Sequence, residues 1–345
     1  LAAIQFEHES IPDLISIVMP ARNAEKYIGA TLESIGNQSY AHWELVVVED
    51  GSTGPTQQIV QSFQRSGNYR VIYVRNDRSY GAGHTRNVAF SKASGEFIAL
   101  LDSDDRWHPD HLAISHQHLK QTGKDIVFST VQMVADGTDE EIGVWGPTDA
   151  EWAEFPQSIY GRSFVTPSAT VMRRQVIADV GPWSTTHRYC EDYDFWLRCI
   201  AMQKKFHYIE GIYCLYRKNH EGATTQKLSG LLEEVAMTTE RYMRMPGLKL
   251  SVCRKYAVDA HKIAARFHLT SDRTRDPSAD PARAGRILLR GWRVQPRRLE
   301  NLWNGLKLLA RENVRRKYPR PTVLPPQPFV RMDEFRQPRS GRSAA

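Results

Sequence analysis

The 345-residue sequence has only four cysteines, Cys190, Cys199, Cys214 and Cys253. They are too few and too scattered for a disulfide framework or a Cys-x-x-Cys metal site, and inert thiols in a reducing compartment are expected. No run approaches the roughly 18 consecutive apolar residues that a membrane-spanning helix needs. The first ten residues, LAAIQFEHES, lack the charged start and apolar stretch of a signal peptide. These absences predict a cytoplasmic protein. Internal repeats are missing as well. What remains is a chain of ordinary composition, 41% hydrophobic, long enough for one large domain plus an appendage or for two domains.

The net charge of +7 conceals an asymmetry. From Arg241 onward there are 25 Lys and Arg against 8 Asp and Glu, whereas residues 1–240 hold 21 against 31. A net charge of +17 on the last third suits contact with an anionic surface or a solvated basic face.

Short apolar runs recur at LISIVMP (from Leu14), WELVVVED (Trp43), YRVIYVRN (Tyr69), FIALLDSD (Phe97) and DIVFSTVQMV (Asp125). Helix-like stretches lie between them, such as AEKYIGATLESIGNQ and HPDHLAISHQHLKQTG, the latter with Pro109 early and Gly123 at its end. This alternation predicts an α/β domain with a buried parallel sheet. From Leu228 the pattern becomes helical, and after Tyr318 it is rich in Pro and Arg with little periodicity. The expected organisation is a domain over 1–227 (core 14–226), a helical region over 228–318, and an extended or disordered tail over 319–345.

In open α/β sheets ligands bind beyond the carboxyl ends of the strands. Four runs end in polar clusters: PARN after Met19, EDGST after Val48, RNDRSYGAGHTRN after Val74 and DSDD after Leu101. Each alone is ordinary turn chemistry, but four at one edge point to a site. Asp102, Asp104 and Asp105 crowd three carboxylates into four residues, which is unfavourable unless a cation relieves it. Asp102 and Asp104 offer hard oxygen ligands for Mg2+ or Mn2+ shared with substrate phosphates. A second cluster, CEDYDFWLR from Cys190, sets Glu191 and Asp192 ahead of an apolar helical stretch. There they serve either as helix-dipole partners or as a general base.

SIVMPARNAEKYIGATLESIGNQSYAHWELVVVEDGST, GAGHTRNVAFSKASGEFIALLDSDDRWHPDHL, VGPWSTTHRYCEDYDFWLR and YRKNHEGATT follow in the order of motifs that marks the inverting glycosyltransferases of family 2. The resemblance covers about residues 14–226 and implies the GT-A fold, a Rossmann-like nucleotide-diphospho-sugar transferase domain. It implies transfer of a sugar from a nucleoside diphosphate, uridine foremost with guanosine and thymidine open, to a hydroxyl acceptor in cell-surface glycan or polysaccharide synthesis. By the same resemblance Asp50 contacts the base, with Pro20, Arg22 and Asn23 lining its pocket. Arg86 lies on the nucleotide side. Asp104 holds the metal, while Asp102, beside Ser103, contacts ribose or metal water. Asp192, with Glu191 beside it, is the catalytic base. Arg217 and His220 close over the diphosphate, His220 on metal or phosphate. The chain departs from the pattern at Arg22, where an aromatic is common, at Glu49, which replaces an Asp, and in the extra residue before His220.

Two other enzyme classes fit worse. Aspartyl phosphohydrolases also place DxD after a strand, but Asp105 stands where they need Thr or Val. A dinucleotide-binding oxidoreductase needs a third glycine that GAGHTR lacks. The non-enzymatic alternative is a scaffold that binds nucleotide sugar or a membrane surface. Trp292, Trp303, Leu306, Leu308 and Leu309 among basic residues suit either packing on the domain or peripheral docking on the inner face of an anionic membrane that presents a lipid-linked acceptor. Nucleic acid is the weaker partner, because no reading module is present.

Overall fold

A computed structural model describes residues 4–218, 227–245, 247–271, 276, 279–296 and 299–309. Its nine strands are β1 (Ile11–Ala21), β2 (Trp43–Asp50), β3 (Val71–Asn76), β4 (Gly95–Leu100), β5 (Arg106–Trp107), β6 (Ile126–Ala135), β7 (Glu141–Trp145), β8 (Thr170–Arg173) and β9 (Phe206–Lys218). They form one sheet in the order β3-β2-β1-β4-β8-β6-β9-β5, with β7 on β6. The parallel sheet expected from the sequence holds for β3-β2-β1-β4. Beyond β4 it does not: β8 runs antiparallel to both β4 and β6, and only the β6–β9 pair is again parallel. The reason is the short β8, which enters between β4 and β6 from a long connection and leaves the doubly wound pattern.

The helices that cover this sheet are α1 (Ile28–Gly36), α2 (Thr56–Gly67), α3 (Ala82–Lys92), α4 (His111–Thr122), α5 (Asp149–Ala153), α6 (Arg174–Val180) and α7 (Glu191–Ala201). Alternate strand residues divide the core between the two faces. Ile15, Ile17, Met19, Leu45, Val47 and Phe97 pack with Ile28, Leu32, Val60 and Leu112 on one side. Val18, Val46, Val48, Ile98 and Leu100 pack with Phe90, Ile177, Trp183 and Trp196 on the other. A sheet covered on both faces accounts for the unbroken burial of β2. Glu44, buried near the start of β2, accepts from the Ser16 hydroxyl (2.5 Å), the Ser94 N–H (2.6 Å) and Arg70 Nε (2.9 Å), so that its burial is compensated. Pro109 precedes α4 rather than opening it, and Gly123 takes the left-handed conformation (φ 62°) that stops it.

Helices α8 (Leu228–Tyr242), α9 (Leu250–Thr270), α10 (Pro281–Val294) and α11 (Leu299–Leu309) follow β9. Ala236, Ala264, Ala265, Ala284, Ile287, Leu288 and Leu308 make a small core among them. Met245 and Cys253 join the core around Phe195 and Trp196, and the Tyr160 hydroxyl donates to the Tyr242 carbonyl (2.7 Å). All four cysteines are buried and unpaired. The expected tail over 319–345 lies outside the described residues.

Candidate active site

Strand register brings the polar clusters to one rim. Ala21 lies opposite Glu49, Val18 opposite Leu100 and Asp50 opposite Asn76, so Pro20, Arg22, Asn23, Asp50 and the Asp102–Asp105 turn share the carboxyl edge of the sheet. Arg22 and Asn23 are exposed, and Asn23 has φ 48°. Asp50 is buried, and its two oxygens accept from Asn76 Nδ2 (2.9 Å), Ser79 Oγ (2.7 Å) and the N–H groups of Tyr80 (2.9 Å) and Gly81 (2.9 Å). Burial raises its pKa, but these four donors hold it below the usual carboxylate value. Asp50 thus anchors the loop that leads into α3. Glu49 is bonded by the hydroxyls of Ser52 and Tyr73, and replaces the family's Asp without losing a satisfied carboxylate.

That loop explains the glycines of GAGHTR. Gly81 has φ 91° at the N-terminus of α3. A Cβ on Gly83 would come within 2.2 Å of the Ser184 carbonyl oxygen, so its hydrogen is what lets α3 lie against the segment before α7. Gly83→Ala is expected to cost about 1–3 kcal/mol and to lower turnover with it, because the same contact aligns the carboxylates described next. Thermal unfolding and steady-state assays check this, and an unaltered Tm would refute it.

Arg86, on α3 and buried, joins two clusters 89 residues apart. Its Nη2 lies 2.5 Å from Asp102 Oδ1 and its Nη1 2.9 Å from Glu191 Oε1, while its guanidinium sits 4.6 Å from the centre of the Trp183 ring. Burial works against its charge, but Asp102, Glu191 and Asp192 hold it firmly protonated. Asn87 donates to the Trp183 carbonyl (2.9 Å) and accepts its N–H (2.8 Å), which fixes the ring under Arg86. Sequence reasoning missed Asn87 and Trp183, although they are the last residues of HTRN and VGPW, and that position is the signal that could have found them.

The DSDD turn is held from several sides. The Asp102 N–H donates to Ser168 Oγ (3.1 Å), and the Ser103 carbonyl accepts from Thr31 Oγ1 (3.0 Å). Asp105 is buried and accepts the Arg217 N–H (2.9 Å); Arg217 Nε donates to the Asp104 carbonyl (3.2 Å). The Arg217 guanidinium pairs with Asp139 (2.8 Å) and lies 5.0 Å from the Tyr27 ring centre. Arg217 is therefore brought to the turn, with its charge shared with the β6–β7 connection. His220 lies outside the described residues.

Electrostatically the site is short of positive charge. Burial, then Asp104 and Glu191, raise the pKa of Asp102 in spite of Arg86; burial, Asp104 and Asp102 raise that of Asp105 strongly. Asp192, in the first turn of α7, is pushed up to about 7 by burial and by Glu191, against the Tyr193 N–H and Arg86. Lys218, at the end of β9, was also missed. Burial lowers its pKa although Asp105, Asp192 and Asp104 act to raise it. Among the described residues no three His, Cys, Asp or Glu side chains form a metal cage. The donor set instead fits an ion that uses one or two carboxylates and completes its shell with water and substrate phosphate, the habit of Mg2+ and Mn2+. Asp102 and Asp104 are the residues that would hold it.

Residues 16–181 match the family model described as Glycosyl transferase family 2. An uncharacterized glycosyltransferase of Methanocaldococcus jannaschii is 30% identical over 207 residues, which is 59% of this chain and 70% of that one. The UDP-Glc:alpha-D-GlcNAc-diphosphoundecaprenol beta-1,3-glucosyltransferase WfgD of Escherichia coli is 36% identical over 121 residues, 35% of this chain and only 47% of its own length. Among solved structures, S. aureus TarS 1-349 in complex with UDP-GlcNAc superposes with a TM-score of 0.61 at 19% identity, covering 86% of this chain and 90% of that one. The mannosyltransferase PcManGT from Pyrobaculum calidifontis, in complex with GDP-Man and Mn2+, gives 0.57 at 18% identity, covering 88% of each. These likenesses establish the GT-A fold expected from the sequence. The family match runs from within β1 through β2 and β4 and takes in Asp50 and the Asp102–Asp105 turn, and the chain belongs to glycosyltransferase family 2.

Proposed function

We propose that the chain transfers a sugar from a uridine diphosphate donor to the hydroxyl of a lipid-linked glycan acceptor, with inversion, in cell-surface polysaccharide synthesis at the inner face of a membrane. The observation that carries this reading is the Arg86 bridge, which sets the Asp102 turn and the Glu191–Asp192 helix start within one guanidinium of each other. Names of relatives support the donor and acceptor: one acts on a diphosphoundecaprenol-linked sugar with UDP-Glc, and one neighbour holds UDP-GlcNAc.

In this mechanism Asp192 takes the proton of the acceptor hydroxyl as its oxygen bonds to the anomeric carbon and the bond from that carbon to the diphosphate oxygen breaks on the opposite side. A pKa of about 7 keeps much of Asp192 ionised near neutrality while leaving it basic enough to accept a proton. Arg86 keeps Glu191 and Asp102 paired and in place. A divalent cation on Asp104 and Asp102 supplies charge neutralisation of the departing diphosphate when bound. Asp50 holds the Asn76–Gly81 loop at the edge where Pro20, Arg22 and Asn23 would meet the base.

A thermal-shift panel of uridine, guanosine and thymidine diphosphate sugars with and without Mn2+ tests the reading. We expect one uridine diphosphate sugar at saturation to raise Tm by roughly 5–10 °C in the presence of Mn2+, and Asp104→Ala to abolish the metal-dependent part. A protein indifferent to every donor, with and without metal, would falsify it.

A further inference from the structure

We propose that the solvent side of α11 docks onto an anionic phospholipid bilayer and seats the enzyme at the plane where a lipid-linked acceptor presents its hydroxyl; this rests on the acceptor class proposed above. Leu299, Trp303 and Leu306 are 56%, 59% and 44% exposed. At about 100° per residue they fall within an arc of roughly 60°, one continuous apolar stripe on the outside of the helix. The opposite side is already used, since Leu308 and Asn301 are buried against the helical core. α11 therefore has a second apolar face with no partner among the described residues. A tryptophan in such a stripe suits the boundary between headgroups and acyl chains. Trp292 is not part of it: half-buried, it donates Nε1 to the Pro296 carbonyl (2.9 Å), and Leu308 likewise faces inward, so the sequence expectation narrows to Trp303 and Leu306, joined by Leu299.

Charge selects the occupant. Arg283, Arg286, Arg290 and Arg293 of the adjoining α10 are all exposed, and by the same helical spacing they share a face about 80° wide. Glu233 pairs with Arg283 (3.1 Å) and also lies in the field of Arg286, and Glu240 pairs with Arg290 (2.6 Å), which leaves Arg293 without a carboxylate partner among the described residues. In sequence alone, outside the described residues, 311–317 carries Arg311, Arg315, Arg316 and Lys317 against Glu312. A second copy of this chain would bring arginines against arginines, whereas an anionic bilayer answers both the apolar stripe and the positive charge.

The test is sedimentation of the full chain with phosphatidylcholine vesicles containing or lacking phosphatidylglycerol. We expect binding to the anionic vesicles at least tenfold stronger than to the neutral ones, and weakened by salt, as electrostatic attraction to anionic lipid requires. Trp303→Ser with Leu306→Ser should reduce that binding about tenfold or more and leave Tm and the donor-induced thermal shift unchanged. Wild-type binding by the double variant, no binding of the natural chain to anionic vesicles, or a dimer that the double variant dissociates would each overturn the proposal. The donor-induced shift is measured without vesicles, so its failure counts against the enzymatic reading and not against docking.

Discussion

Asp192→Asn is expected to lower turnover by a factor of about 100 or more, the usual scale for loss of a general base, while the donor-induced thermal shift persists. The substitution keeps the shape of the side chain and its place in the first turn of α7, where Asp192 accepts the Tyr193 N–H at 2.7 Å. What it removes is the proton acceptor. The wild-type rate should rise with pH through a limb near 7 and flatten above it, because only the ionised carboxylate accepts the acceptor's proton. In the variant that limb disappears. Stability should move the opposite way. Asp192 has its pKa raised in the fold, so its contribution is present below the unfolded value of about 3.9 and is lost as pH climbs through about 7. Above that pH the native state carries a charge it would rather not hold. The full shift corresponds to about 4 kcal/mol, and solvent screening at this half-buried carboxylate leaves about half of that. Asp192→Asn should therefore melt roughly 4–8 °C higher than wild type at pH 8 and at the same temperature near pH 4. A variant with near-normal turnover, or one that is less stable at high pH, would remove Asp192 from the role of base.

The legible part of the fold was the part buried on both sides. β1, β2 and β4 announce themselves because each has a short apolar centre (ISIVM, LVVV and FIAL) and their carboxyl ends carry the polar clusters. β9 escaped notice for the converse reason. FHYIEGIYCLYRK buries few of its thirteen residues, is interrupted by Gly211, and slips register against β6 between Ser129 and Val131. α3 was similarly hidden: it buries Gly83, Thr85, Arg86, Ala89 and Phe90, a mixture in which no apolar stripe stands out. The residues of the site were visible as types, since paired carboxylates at strand ends are unusual whatever the fold. Their connections were not. That Asp50 spends four acceptor bonds on its own loop, and that Asp105 fastens β9 through Arg217, depends on contacts separated by about 30 and 112 residues. No local pattern carries such information.

Arg86 is the residue whose loss should cost most. Arg86→Met keeps the volume over Trp183 but leaves Asp102 and Glu191 facing each other in a largely buried site with no counter-charge. Removing one partner of such a network costs about 3–5 kcal/mol, which should lower Tm by roughly 6–20 °C. The effect on catalysis is separable from unfolding if it is measured well below the variant's Tm. Arg86 is among the groups that lower the Asp192 pKa, so without it the acidic limb of the rate profile should move above 7, and the rate at neutral pH should fall as the base becomes protonated. Arg86→Lys is the informative companion. A single ammonium preserves the charge yet cannot donate from two separate nitrogens in a rigid plane. It should restore most of the position of the limb and only part of the Tm, because the field at Asp192 depends on charge whereas the join between α3, the Asp102 turn and α7 depends on the fork. If Arg86→Met kept the wild-type Tm and left the limb where it was, Arg86 would be an ornament of the site rather than the piece that unites its two halves.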